Sequence, residues 1–325
     1  MTRVVRFHET GGPEVLRVEE LELPAPGPGE VRVRHTAIGL NYVDTYHRSG
    51  LYPPGPLPAE LGMEAAGVVE RVGPGVTEFE LGQRVGYATG RPGAYAEARN
   101  VQAVRLIPLP DGVDEATAAA ILLKGMTAEY LVRRTYPVQA GQPVLLHAAA
   151  GGVGIIASQW LAHLGATVIG TVGSDDKASL ARGYGCHYPI VYTREDFVSR
   201  VRELTSGRGV PVVYDSVGRA TFGGSLECLA PRGLLVSFGN ASGKPDPIDP
   251  GVLGTKGSLY LTRPSLFTYV ATRAELLASA QALFKMVLAG AIKVRIGQRW
   301  PLAQVVQAHR ALESRATTGS TVLTV

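Results

Sequence analysis

HAAAGGVGIIASQWLAHLGATVIGTVGSDDK, running from His147 to Lys177, decides how this 325-residue chain folds. Val144–Leu146, just before it, are apolar enough for a central parallel strand. The chain then reads Ala149-x-Gly151-x-x-Gly154, one residue away from the G-x-G-x-x-G turn that joins a strand to a helix around a dinucleotide. Gly151 lets backbone approach a pyrophosphate and Gly154 lets the helix pack near the strand, while Ala149 is the smallest change the tight first position accepts. The next helix presents Val153, Ile156, Ala157, Trp160, Leu161 and Leu164 on one face, at spacings of three and four. A second strand, Thr167–Gly170, follows at once. Ala150, Gly151, Gly152, Val153 and Gly154 are therefore the candidate phosphate turn, since a helix start offers unpaired N–H groups to phosphate oxygens. A tight structural turn is the plain alternative; the strand–helix–strand setting favours a dinucleotide.

The tip of the second strand, Gly170-Thr171-Val172-Gly173-Ser174, bears on which dinucleotide. An NAD site usually places Asp or Glu there to accept from the ribose hydroxyls. Small residues and a hydroxyl instead leave room for a 2′-phosphate, and Lys177 follows one helical turn later as a point cation. Gly173, Ser174 and Lys177 are thus candidate NADPH contacts. Two other readings stand beside this one. Ser174 can simply cap the next helix, with Asp175 and Asp176 in its first turn. Alternatively, Asp175 can hold the ribose, which would restore NADH.

Outward from this stretch, strand-like and helix-like segments alternate, including Phe197–Thr205, Pro211–Asp215, a helix at Ser225–Ala230 and a strand at Leu234–Phe238. That is the grammar of a parallel sheet covered on both faces. The first third differs: short strand candidates at Val4–Phe7, Val15–Val18, Val31–His35, Ala65–Val72, Arg84–Tyr87 and Ala94–Ala98 are punctuated by Gly/Pro turns, as in a small barrel. Asp114–Tyr130 reads as a helix, as do Ala274–Leu288 and the neighbourhood of Leu302–Leu312. Ser320–Val325 alternates like a closing strand returning to the first domain.

No apolar run approaches the ~18 residues of a membrane span, and Thr2–Arg3 lead into a strand rather than a secretory signal. Two cysteines, Cys186 and Cys228, supply no disulfide framework, so a reducing cytoplasm is the expected setting. The net charge of +4 comes from interspersed Arg without a stacking platform, which argues against nucleic acid and against a mere RNA-binding role. The 26 Arg against 6 Lys suit either a protein that works hot or a G+C-rich genome.

A catalytic zinc needs a thiolate, an imidazole and usually a third such ligand, and both Cys, Cys186 and Cys228, lie far downstream of the first-domain motifs that would hold it. Without a Lewis acid the acceptor must already be electrophilic: a quinone, or an alkene conjugated to a carbonyl. Tyr42, Tyr46 and Tyr52 suit a planar acceptor, because aromatic walls stack and phenols hydrogen-bond a carbonyl; the bland reading makes some of them core or surface. Asp44 is an acid or a loop cap, with the ordinary carboxyl pKa of a poor proton donor at neutral pH.

LGMEAAGVVERVGPGV, AAAGGVG and NYVDTYHRSGLYPPG together resemble the zinc-independent, zeta-crystallin-like NADPH:quinone oxidoreductases of the medium-chain dehydrogenase/reductase superfamily. The similarity continues through YDSVG (Tyr214–Gly218), VSFGNASG (Val236–Gly243), KGSLYLTRPSL (Lys256–Leu266) and ESRATTGS (Glu313–Ser320). It implies an α/β protein in which a Rossmann-type parallel-sheet nucleotide-binding domain, 125–265, is inserted in a GroES-like, mainly β catalytic domain formed by 1–124 and 266–325. It implies a homodimer, and a metal-free cleft where NADPH reduces a quinone. Asn41 stands where zinc-dependent relatives carry the catalytic Cys, and Met63 where they carry the His before Glu64. By resemblance, Asn41 sits near the nicotinamide with Tyr46 and Tyr52 beside it, and these three are the candidate catalytic residues. Ser174, Lys177, Tyr192 and Arg315 gather at the 2′-phosphate, and Phe238, Asn240, Gly125, Met126 and Thr127 contact the cofactor. Reduction of an α,β-unsaturated ketone or aldehyde is the alternative chemistry; a cofactor-binding interaction protein is the alternative of another kind.

Overall fold

The computed structural model describes residues 1–325, which form two units: 1–126 with 270–288 and 294–325, and 127–269 with 289–293.

The first unit opens with β1 (Thr2–Phe7), β2 (Arg17–Leu21), β3 (Glu30–Leu40), α1 (Tyr42–Arg48) and β4 (Ala59–Glu60). β5 (Glu64–Val72), β6 (Arg84–Tyr87), β7 (Ala98–Gln102), β8 (Ile107–Pro108) and α2 (Glu115–Tyr130) follow, the division between units falling inside α2. Pro13 starts a tight turn with its φ already set, so the strand expected at Val15–Val18 begins only at Arg17. Likewise Ala94–Ala98 is no strand: it makes one bridge, Val4 to Ala96, and regular pairing starts at Ala98. β3 is the spine of this unit, pairing antiparallel with β5 and β7.

The second unit contains β9 (Pro143–Leu146), α3 (Gly152–His163), β10 (Thr167–Val172), α4 (Asp175–Gly183), β11 (Tyr188–Val191) and α5 (Phe197–Leu204). It continues with β12 (Val210–Asp215), α6 (Phe222–Cys228), β13 (Leu229–Ser237), α7 (Gly251–Thr255), β14 (Tyr260–Thr262) and α8 (Leu266–Tyr269). Its sheet is parallel throughout, in the order β11-β10-β9-β12-β13-β14. Numbered from β9, that is the 3-2-1-4-5-6 order whose direction of growth reverses between β9 and β12, and ligands bind beyond the strand ends at such a reversal. The turn after β9 is therefore where a dinucleotide belongs. The expected helix Ser225–Ala230 and strand Leu234–Phe238 are displaced: α6 starts at Phe222, and β13 already runs from Leu229.

The chain then completes the first unit with α9 (Arg273–Leu288), β15 (Ile296–Pro301), α10 (Val305–Glu313) and β16 (Ser320–Thr324). β16 inserts between β15 and β3, pairing antiparallel with β3 from Thr321–Leu40 to Thr324–Ala37. Val5, Phe7, Val33, Ile38, Leu61 and Leu323 are among the fully covered side chains of this unit's core. No helix is long and apolar enough to cross a membrane.

Gly154 shows how close α3 lies to β9. A Cβ there would come 2.2 Å from the Ala148 carbonyl oxygen and 2.8 Å from the Ala149 Cα. Backbone cannot swing aside as a side chain can, so Gly154→Ala should destabilise by about 1–3 kcal/mol. Gly183→Ala, where a Cβ meets nothing within 4 Å, should be neutral or stabilising. Thermal unfolding of both variants checks this; equal midpoints would refute the close approach.

Candidate active site and dinucleotide turn

In the second unit the turn is built on a buried histidine. His147 lies between Thr171 Oγ1 at 2.9 Å and Ser225 Oγ at 3.0 Å, and Ser225 donates onward to Asp215 Oδ2 at 2.8 Å. Burial drives the His147 pKa below its ordinary value, against the pull of Asp215. With that ring fixed, Ala148 takes a left-handed φ of 55°, a conformation that costs a non-glycine residue roughly 1–2 kcal/mol. The Ala149 N–H donates to the Thr171 carbonyl at 3.0 Å, and the Gly151 N–H to that of Ala148 at 2.9 Å. The chain thus enters α3 with Gly151 as its cap and no side chain closing the helix start. Ala150, Gly151, Gly152, Val153 and Gly154 form this junction. An open helix start, a helix drawn close to the strand end at Gly154 and a position at the sheet's reversal fit a pyrophosphate.

At the tip of β10, Ser174 caps α4, its Oγ accepting from the Lys177 N–H at 3.3 Å. The capping reading of Ser174 is therefore right, and it leaves the half-buried Lys177 side chain one turn into the helix. Tyr192 explains Gly173: a Cβ there would lie 3.0 Å from the Tyr192 hydroxyl. Asp175 is engaged elsewhere, accepting from Arg194 at 2.5 and 2.6 Å, which holds its carboxyl below the usual range. Sequence reasoning missed Arg194, because its only signal is a charge 19 residues away.

Beyond β13 stand Phe238 and Asn240. Arg263, just after β14, donates to the Ser237 carbonyl at 3.0 Å and the Gly239 carbonyl at 2.9 Å. The Asn240 amide fits with its oxygen accepting from Arg263 at 3.1 Å and its nitrogen donating to the Gly239 carbonyl at 2.9 Å. Arg263, also missed in the sequence, is thus what shapes this strand end. Thr127, buried on α2, is the other candidate contact of the second unit.

The first unit organises its candidates around Glu64, which is fully buried. Its Oε2 accepts from Asn41 Nδ2 at 2.8 Å and from Lys124 Nζ at 3.2 Å; its Oε1 accepts from the Leu123 N–H at 2.6 Å. Asn41 caps α1, and its backbone N–H donates to Asp44 Oδ2 at 2.8 Å. A polar chain arrives at that same oxygen. Tyr95 Oη donates to it at 2.8 Å, and His309 Nε2 lies 3.2 Å from Tyr95 Oη. Arg48 approaches His309 Nδ1 at 2.9 Å and grips Glu313 at 2.6 and 3.1 Å. Arginine only donates, so His309 carries its proton on Nε2 and every donor in the chain points toward Asp44.

Asp44 closes the capping box of α1 from the helix's third position rather than capping a loop, and the expectation of an ordinary carboxyl fails. Burial pushes its pKa up to about 7, against the hydrogen bonds from Asn41 and Tyr95, and its Oδ1 has no partner. Burial likewise lowers His309 to about 3 and raises the Tyr95 phenol well above its usual range.

Tyr46 and Tyr52 meet edge to face with ring centroids 5.1 Å apart, and Tyr42 lies 5.7 Å from Tyr46. Tyr46 is buried, whereas Tyr42 and Tyr52 are half-buried, so the three form one aromatic wall. Gly125 and Met126 lie buried on α2, and a Cβ at Gly125 would come 2.5 Å from Leu283, so helix packing alone already accounts for that glycine. Arg315 follows α10 exposed, with a left-handed φ of 61°. It belongs to the first unit, whereas Ser174, Lys177 and Tyr192 belong to the second.

A family model described as an alcohol dehydrogenase GroES-like domain matches residues 27–111, and one described as a zinc-binding dehydrogenase matches residues 152–278. A quinone oxidoreductase of Pseudomonas aeruginosa is 53% identical over 323 residues, covering 99% of each chain. A 2-haloacrylate reductase of a Burkholderia species is 46% identical over 329 residues, again covering 99% of each. The crystal structure of Escherichia coli quinone oxidoreductase complexed with NADPH is 49% identical, with a TM-score of 0.98 over 100% of both chains.

One of those descriptions names zinc, and the donors present do not fit it. No group of three or more His, Cys, Asp or Glu side chains is placed to hold a metal. Asn41 and Met63 offer an amide and a thioether, and Glu64 is already neutralised by an ammonium. Cys186 and Cys228 are buried in the second unit, their thiols pushed up to about 12.

Native Asp44 holds its proton more tightly than the unfolded chain does. Its contribution to stability is therefore complete below the ordinary carboxyl range and is lost as pH rises through about 7. Asp44→Asn keeps an acceptor for Asn41 and Tyr95, so its stability relative to wild type should climb from about pH 5 to about pH 8. Denaturant midpoints across that range measure the difference; a constant difference would show that Asp44 titrates normally.

Proposed function

Since the chain belongs to the quinone oxidoreductase family of the medium-chain dehydrogenases/reductases, we propose that it passes reducing equivalents from NADPH to a quinone in a metal-free site. The observation that carries this reading is the state of Glu64: an amide and an ammonium complete its shell, where a metal centre would need thiolate and imidazole.

Bound NADPH supplies the reducing equivalents from its nicotinamide. The protein's task is placement. Ala150–Gly154 and the start of α3 receive the pyrophosphate, and Phe238, Asn240, Gly125, Met126 and Thr127 line the rest of the cofactor. Ser174, Lys177 and Tyr192 take the 2′-phosphate, with Arg315 a further candidate cation for it, so that the charge near the adenosine ribose is positive. Asn41, held by Glu64 and by the Asp44 cap, stands at the nicotinamide. Tyr46 and Tyr52 stack against the acceptor ring and offer hydrogen bonds to the oxygen where charge develops. Quinol oxygens take protons from solvent, so no dedicated acid is required.

Reduction of a conjugated alkene is a second reading, favoured by the relative named for a haloacrylate. Here a proton must reach carbon, and the phenols of Tyr46 and Tyr52 are the candidate donors. We also infer a homodimer. β14 leaves an unpaired sheet edge, and Tyr260, Leu261 and Phe267 at or just beyond it expose large apolar side chains. Two buried thiols without a disulfide suit a reducing cytoplasm.

Turnover of ortho- and para-quinones with NADPH and with NADH, each with and without a chelator, tests the main reading. NADPH should be preferred and the chelator should have no effect; chelator-sensitive turnover would overturn the metal-free site. Lys177→Ala should raise the KM for NADPH by roughly tenfold while leaving that for NADH nearly unchanged. Equal losses would refute the 2′-phosphate assignment.

Tyr46→Phe or Tyr52→Phe should cut turnover of an enone far more than that of a quinone. Matching losses on both substrates would show that neither phenol donates a proton to carbon.

A further inference from the structure

The tip of β10 carries an acid that ought to work against NADPH. Asp175 lies two residues beyond Gly173, where a carboxylate can accept from the hydroxyls of an unphosphorylated ribose or repel a 2′-phosphate. Resting on the NADPH reading above, we propose that Arg194 is a specificity-determining residue. It occupies both oxygens of Asp175, which denies that carboxylate to NADH and cancels its charge beside the 2′-phosphate of NADPH.

The geometry is that of a fork on a fork: two guanidinium nitrogens reach two separate carboxylate oxygens, Oδ1 at 2.6 Å and Oδ2 at 2.5 Å. Ribose hydroxyls would need those same oxygens. The arm that brings Arg194 there is held by backbone, not by chance contact of two mobile side chains. β10 and β11 pair in register from Ile169–Tyr188 to Val172–Val191, and the Tyr192 N–H donates to the Val172 carbonyl at 3.1 Å. The Arg194 N–H then turns back to the Val191 carbonyl at 3.0 Å, which fixes where its side chain starts. Nearby Glu195 turns its Oε1 to the Val191 N–H at 2.8 Å, so its charge acts on Arg194 only as a weaker pull beside the direct pair with Asp175. As the first residue of α4, Asp175 already sits where negative charge is favoured, so Arg194 is not needed to make an acid tolerable there.

Asp175 and Arg194 are both well exposed, so solvent and salt screen the pair and the expected effect is modest. The experiment compares kcat/KM for NADPH and for NADH, with one quinone at low ionic strength, in wild type, Arg194→Ala, Asp175→Ala and the double variant. Arg194→Ala should lower the NADPH/NADH ratio by roughly two- to fivefold, with part of the change a gain in NADH efficiency. Asp175→Ala should keep or raise the ratio, and the double variant should return to the wild-type ratio or above it. An unchanged ratio in Arg194→Ala would overturn the proposal. So would a loss confined to NADPH that the double variant fails to recover, since Arg194 would then be a simple phosphate cation. Failure of the cofactor reading itself is distinguishable: wild type would show no preference for NADPH, whatever Arg194→Ala did to NADH.

Discussion

A carboxylate with no access to water must be surrounded by donors, and Glu64 imposes that requirement on the whole first unit. It begins β5, it is met by the amide of the α1 cap, and it is answered from α2 by a backbone N–H and an ammonium. Even β3 is shaped by it: a Cβ at Gly39 would lie 2.3 Å from Glu64 Oε2 and 2.1 Å from the Ala119 carbonyl, so only glycine fits. Removing one partner of such a buried pair typically costs 3–5 kcal/mol, because the other is left charged and dry. The position of Asn41 thus follows from the need to satisfy a buried carboxylate.

The glycine turn of the second unit rests on a different footing. Its constraint is closeness of backbone: Gly154 against the Ala148 carbonyl, and a left-handed Ala148 held by hydrogen bonds on either side of it. Local strain of this kind persists where the surroundings over-determine it, and His147, clasped between Thr171 and Ser225, provides that surrounding. Asn41 is therefore placed beside a buried ion pair, whereas the glycine turn is placed by excluding side chains.

What could be read in the sequence follows from how local each cause is. The glycine turn, the amphipathic α3 and the Ser174 cap depend on neighbours within four residues and were all visible. Asp44 was visible as a cap but not as a high-pKa acid, because burial belongs to the folded chain and not to its spacing. Arg263 and Arg194 were missed because their partners lie 23 to 26 and 19 residues away, and a scattered arginine carries no mark of the partner it will find. Pro13 and the single bridge at Ala96 displaced two expected strands, since hydrophobic alternation alone cannot tell a strand from an extended loop.

β16 has an implication for how the chain is made. Residues 320–324 lie inside the first unit's sheet, one strand from its end and beside β3, whose residues 37–40 leave the ribosome some 280 positions earlier. Until they arrive, the edge of β3 that β16 will cover stands open to any passing strand, while every strand of the second unit's sheet has already been synthesised. The inserted unit can thus ripen first, and the domain that encloses it in sequence must wait, exposed, for its keystone.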